Sequence, residues 1–152
     1  MKKLLFAALA ITLLLCACSP ADNTDGLVVY ENIDALADAL GYFPNTPQHI
    51  SGTGYTETYG IVDGDIVQIV YKNSSNTITY RTKKVADESI CGIDVAQFDE
   101  SENNRSKGFD VPILGTGGKL YLAEWSEDQK SFSVYFEKGA AAEEFDEIIK
   151  GI

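Results

Sequence analysis

A chain of 152 residues with 23 acidic and 12 basic side chains carries a formal net charge of −11, which repels nucleic acid and anionic lipid head groups and argues against both as partners. Its length and its 45% hydrophobic content suit one domain with a sizeable core. Of three cysteines, Cys16 and Cys18 fall near the start and leave Cys91 alone in the body, so no intramolecular disulfide is expected there.

The first residues read as an address. Met1-Lys2-Lys3 is a basic start, and Leu4 to Leu15 is apolar except for Thr12. That run matches a signal-peptide core of roughly 7–15 residues and falls short of the roughly 20 needed to span a bilayer. Leu15-Cys16-Ala17-Cys18-Ser19 then resembles the lipobox of bacterial lipoproteins, in which a small residue precedes the modified cysteine. Ala17 meets that need for Cys18, whereas Leu15 does not meet it for Cys16. The expected organisation is a leader over 1–17, a lipidated Cys18 with a flexible polar tether over 18–26, and one globular domain over 27–152. Cleavage would remove Lys2 and Lys3 and deepen the acidic excess. Each buried lipid methylene contributes about 0.8 kcal/mol, so a doubly or triply acylated Cys18 would hold the chain stably on the extracytoplasmic face of a cell membrane.

Leu27 to Tyr30 suits a short strand. Asn32 is an N-cap candidate; Ile33, Leu36, Ala37 and Leu40 fall on one helical face, and Gly41 stops the helix. Pro44 and Pro47 bracket an irregular crossing. From Tyr55 the period becomes two. Tyr55, Tyr59 and Ile61 share a face, the two-residue signal Asp63-Gly64 turns the chain, and Val67, Ile69 and Tyr71 share the next face. After a turn at Asn73 to Asn76, Ile78 and Tyr80 alternate with Thr77, Thr79 and Arg81, completing a three-stranded meander. Ile93 to Phe98 is read as a strand and Asp99 to Gly108 as a mobile polar loop. Leu120 to Trp125 and Phe132 to Phe136 are hairpin arms joined at Glu127 to Lys130. Over Ala140 to Lys150 a helix is expected, with Ala141, Phe145, Ile148, Ile149 and Ile152 as its apolar stripe and Glu143 and Glu144 in its first turn. The expected class is α+β: an antiparallel, hairpin-linked sheet with an N-terminal and a C-terminal helix packed on one face.

Several segments together resemble a family of extracytoplasmic domains of unknown function, found in bacterial lipoproteins and on the outer side of anti-sigma-factor-like membrane proteins. The residues that carry the resemblance are Tyr71-Lys72-Asn73, Ile78-Thr79-Tyr80-Arg81, Ile90 with Gly92, Leu122-Ala123-Glu124-Trp125, Ser131-Phe132-Ser133-Val134 and the helix from Gly139 to Ile149. It spans roughly residue 40 to the end and departs at Cys91-Gly92-Ile93-Asp94, where family members tend to carry Ser-Gly-Asp-Tyr. The resemblance implies a fold and an extracytoplasmic setting, and it supplies no activity.

No motif singles out a reaction. His49 is the one histidine, and no Gly-x-Ser-x-Gly elbow accompanies it. One histidine and one cysteine fall short of the three or four ligands of a zinc site. The acids of 99–104 would suit calcium, but the stretch lacks the glycine and distant glutamate of an EF-hand. Gly115-Thr116-Gly117-Gly118 precedes a strand rather than a helix, so it reads as a hairpin connection and not a phosphate cradle. Cys91, among apolar neighbours, reads as buried. Tyr and Trp favour recognition surfaces, which makes Tyr55, Tyr59, Tyr121 and Trp125 the candidate binding residues. The expectation is a non-enzymatic binding or sensing domain without cofactor or metal. Its partners would be the membrane, through the lipid on Cys18, and an envelope protein, peptide or glycan. A carboxylate-dependent envelope hydrolase and a structural spacer are the alternatives.

Overall fold

The computed structural model describes residues 26–50, 52–86 and 89–152; the leader 1–17, Cys18 and the tether as far as Asp25 lie outside them. Along the chain come β1 (Leu27–Tyr30), α1 (Ile33–Leu40), β2 (Thr56–Val62), β3 (Ile66–Lys72), β4 (Thr77–Lys83), β5 (Glu100–Asn104), β6 (Val111–Thr116), β7 (Lys119–Glu127), β8 (Lys130–Ala140) and α2 (Ala142–Lys150). The strands form one antiparallel sheet in the order β1-β2-β3-β4-β8-β7-β6-β5. It is two meanders, β1 to β4 and β5 to β8, joined where β4 pairs with β8.

That seam places Ile78, Tyr80 and Thr82 opposite Phe136, Val134 and Phe132. All of these except the buried polar Thr82 form the centre of the core with Val67, Ile69 and Tyr71 of β3 and Ala123 and Trp125 of β7. Leu36 of α1 and Phe145, Ile148 and Ile149 of α2 belong to the same cluster, and the Phe145 ring lies 4.7 Å from that of Phe136. Asn32 caps α1 by accepting from the Ala35 N–H at 2.9 Å, and Gly41 ends it in the left-handed region at φ +74°. α2 begins at Ala142, two residues later than expected, because β8 continues to Ala140. Ala141 is therefore its exposed N-cap and not part of the stripe; its N–H donates to the Glu144 carboxylate at 2.9 Å.

The centre of the sheet must be left for its far edge after β4. Residues 84–86 and 89–99 lie on that crossing, which holds a 3-10 turn at Val95–Gln97 in place of the expected strand over Ile93 to Phe98. Asp94 caps that turn by accepting from Ala96 N–H at 3.0 Å, a local bond that competes with strand pairing. Within the expected loop Asp99 to Gly108, residues Glu100–Asn104 are instead the edge strand β5, paired to β6. A polar edge strand guards its open side against further pairing and so hides in a sequence as a loop. β6 itself carries Pro112 and a register shift at Leu114/Gly115, both of which mask a strand pattern. At Asp63-Gly64 both residues take positive φ and Asp65 N–H bonds Val62 C=O at 3.3 Å, but Val62 pairs with Ile66, so three residues rather than two connect β2 to β3.

Candidate ligand cleft

Tyr55, just before β2, and Glu57, Tyr59 and Ile61 on it share the strand's core side. Register sets Glu57 directly opposite Tyr71 of β3, and Tyr59 opposite Ile69. α1 starts beside this row at Ile33, and residues 46–50 and 52–54 lie along it. Between them opens a cleft of about 380 Å³, lined by Tyr55, Tyr59, Tyr71 and Glu57, with Ile33, Ile50 and Ile69 as its apolar part.

The segment's wall is held in place by backbone chemistry. Gly52 and Gly54 sit at φ +105° and +72°, and a β carbon on Gly52 would stand 3.2 Å from the Tyr55 ring. Asn73 Nδ2 donates to Thr53 C=O at 3.3 Å, and Gln48 N–H donates to Gly151 C=O at 3.1 Å beyond the end of α2.

The rings of Tyr55 and Tyr71 meet edge to face, 6.5 Å apart at 85°, forming a corner. Tyr71 is 6% exposed, and none of the described residues takes a hydrogen bond from its hydroxyl. The Tyr59 hydroxyl donates to the Glu57 carboxylate. Burial, then that hydrogen bond and the negative charge, push the Tyr59 phenol up to about 12. Burial first, then the charge of Glu57, pushes Tyr71 upward too. The phenols stay neutral at ordinary pH. Glu57 is exposed at its end of β2 and forms no ion pair among the described residues.

Of the four aromatic residues singled out from sequence, the cleft gathers Tyr55 and Tyr59. Trp125 is not with them: it is 7% exposed, stacked on Phe132 at 5.2 Å in the core, and has no ring face to offer a ligand. Tyr121 stacks on Phe98 of the crossing segment at 5.9 Å. Tyr71 and Glu57 were passed over as site residues because only the β2–β3 register brings them together. The alternation of 55, 57 and 59 onto one face was the available signal.

On the other side of the sheet, Gln68, Arg81, Ser133 and Glu124 stand in one row across β3, β4, β8 and β7. The crossing segment docks on that row. Glu124 accepts from the N–H groups of Ile90 and Cys91, each at 3.0 Å, and from the Ser89 hydroxyl; Arg81 donates to Ile90 C=O at 3.0 Å and to Gln68 at 2.9 Å. Arg81, Ile90, Gly92 and Glu124 all carry the resemblance noted above, and here their work is to hold a chain crossing. Cys91, itself part of the crossing, is buried at 4% exposure.

Other sequence features resolve into structure. The side chain of His49 is 71% exposed, 3.8 Å from Glu147. Gly117 and Gly118 make the β6–β7 turn at positive φ, and Gly118 N–H is taken by the Glu100 carboxylate at 3.1 Å, as a hairpin would have it. Among the described residues no three acidic, histidine or cysteine side chains converge as metal ligands, and the acids of 99–104 are spread along β5. No described helix is long and apolar enough to cross a membrane. No family model, curated protein or solved structure matches the chain.

Proposed function

We propose that the chain is a lipid-anchored extracytoplasmic binding protein, non-enzymatic, whose ligand site is the cleft of Tyr55, Tyr59, Tyr71 and Glu57. The cleft carries the reading: a concave site of about 380 Å³ joins apolar lining to a few convergent polar groups, the usual make-up of a small-molecule site. The anchor rests on Leu15-Cys16-Ala17-Cys18 and the leader before it. The extracytoplasmic domain family resembled by the segments from Tyr71 onward fits the same setting. For the architecture, the reading sets both helices on one face of the sheet, which the shared cluster of Leu36, Phe145 and the β3, β4 and β8 residues supports. The opposite face is then left to the crossing segment.

Two measurements test it. Labelled palmitate should enter the parent chain in a bacterial host and fail to enter Cys18→Ala; label persisting in the variant removes the anchor. A small-molecule screen by NMR on the full chain should give hits whose shifts centre on Tyr55, Tyr59 and Tyr71. Hits that map elsewhere would remove the cleft as the site.

A further inference from the structure

The cleft has a chemical polarity that narrows its occupant. Among the described residues neither lysine, arginine nor histidine lines it, and the one charged group that does is the Glu57 carboxylate. That carboxylate holds only the neutral Tyr59 phenol and meets no cationic side chain among the described residues. Two ring planes meet at 85° beside it, and aromatic faces attract cations electrostatically. Tyr71, more than nine-tenths buried, lines the cleft with a hydroxyl that has no protein partner among the described residues. A phenol oxygen without a protein partner, open to the cleft, is free to accept from a ligand there. An anion would meet a carboxylate inside a chain of net charge −11. A sugar would leave Ile33, Ile50 and Ile69 facing its hydroxyls.

We infer that the cleft binds a small organic ammonium ion, with its charged head between the Tyr55, Tyr59 and Tyr71 side chains and the Glu57 carboxylate, and its hydrocarbon against Ile33, Ile50 and Ile69. The inference rests on the cleft being a ligand site, as proposed above. The ammonium N–H groups donate to Glu57 and to the Tyr71 oxygen, while the rings supply cation–π attraction. Because the Tyr59 and Tyr71 phenols are held protonated, these two rings do not become anions that would bind any cation without regard to shape.

Three probes of one skeleton separate charge from shape: phenethylamine, phenethyl alcohol and hydrocinnamate, titrated into the full-length chain in nonionic detergent and followed by NMR of the tyrosine rings. The amine should bind about tenfold or more tighter than the alcohol, the ratio expected of one desolvated cation–π and carboxylate contact, and the carboxylate probe weakest of all. Tyr55 and Tyr59 signals should move, while the Trp125 indole in the core should not. In Glu57→Gln, an exposed position where the melt should match the parent, amine affinity should fall to that of the alcohol. Equal binding of amine and alcohol by the parent, or an amine preference that survives Glu57→Gln, overturns the ammonium assignment and leaves the cleft standing. No shift at Tyr55 or Tyr59 with any probe overturns both.

Discussion

A methyl group at Gly92 would stand 2.1 Å from Arg81 Nη1, and Gly92 already holds φ +68°. Only glycine allows the crossing segment to come this close to the sheet. Next to it, Glu124 is the one acceptor among the described residues for two backbone N–H groups on residues 3% and 4% exposed. Glu124→Ala leaves both without a partner and should cost about 2–4 kcal/mol in urea unfolding, with Glu124→Gln costing about half as much because one neutral acceptor remains. A loss within error for the alanine variant would mean that the crossing is held by its apolar contacts alone. In the cleft the residue scale sets a pH dependence. Tyr59 titrates near 10 when unfolded and at about 12 when folded. Below pH 10 both states keep the proton, and its contribution to stability is fully present. As pH rises from about 10 to about 12 the unfolded chain loses the proton first, so stability falls. Tyr71 and Tyr80, both raised chiefly by burial, extend the fall upward. The urea midpoint should therefore be flat around neutrality and drop above pH 10. Glu57→Gln should bring the Tyr59 titration, read by ring NMR, part of the way back to its ordinary value. It should not return fully, since burial is the larger cause.

At the scale of elements, α2 is the test of how the core is closed. Phe145 is 0% exposed and tilts onto Phe136, and a nine-residue helix is marginal alone in water. Phe145→Ala should cost about 3–5 kcal/mol, a large share of the roughly 5–15 kcal/mol that holds a domain together. A thermal midpoint close to the parent's would make the helix peripheral. Elements built from local signals were readable in the sequence. α1 showed both caps and its full stripe, and β3 and β4 alternate without interruption around the Asn73–Asn76 turn. β5 and β6 were not readable, because an edge strand looks like a loop and because Pro112 and Gly115 break the pattern of its neighbour. The cleft was half legible. Tyr55 and Tyr59 declare themselves by spacing, whereas Tyr71 opposite Glu57 depends on register, and the wall at Gln48 and Thr53 depends on tertiary contacts. Trp125 could not be told from a surface aromatic, since strand alternation gives the face and not what covers it.

The whole molecule is two local meanders stitched by one seam of long sequence separation, β4 against β8. Cys91 is the free cysteine of the described residues and is buried. The melt of residues 27–152, followed by the buried Trp125, should therefore be cooperative and unmoved by reductant or chelator; a large drop with chelator would point to a structural cation. The same sheet also has two unlike ends. β1 starts beside the β2–β3 turn, with Leu27 opposite Val62, while the cleft lies at the other end, where Thr56 pairs with Lys72. The seven residues of β3 separate these ends by about 23 Å. The eight residues from Cys18 to Asp25 reach at most about 28 Å when extended. With a lipid on Cys18, as proposed above, that reach exceeds the distance between the two ends, so the tether alone sets no orientation of the cleft toward the bilayer or away from it. The cleft of an anchored chain would then meet both what gathers at the bilayer surface and what diffuses in water past it.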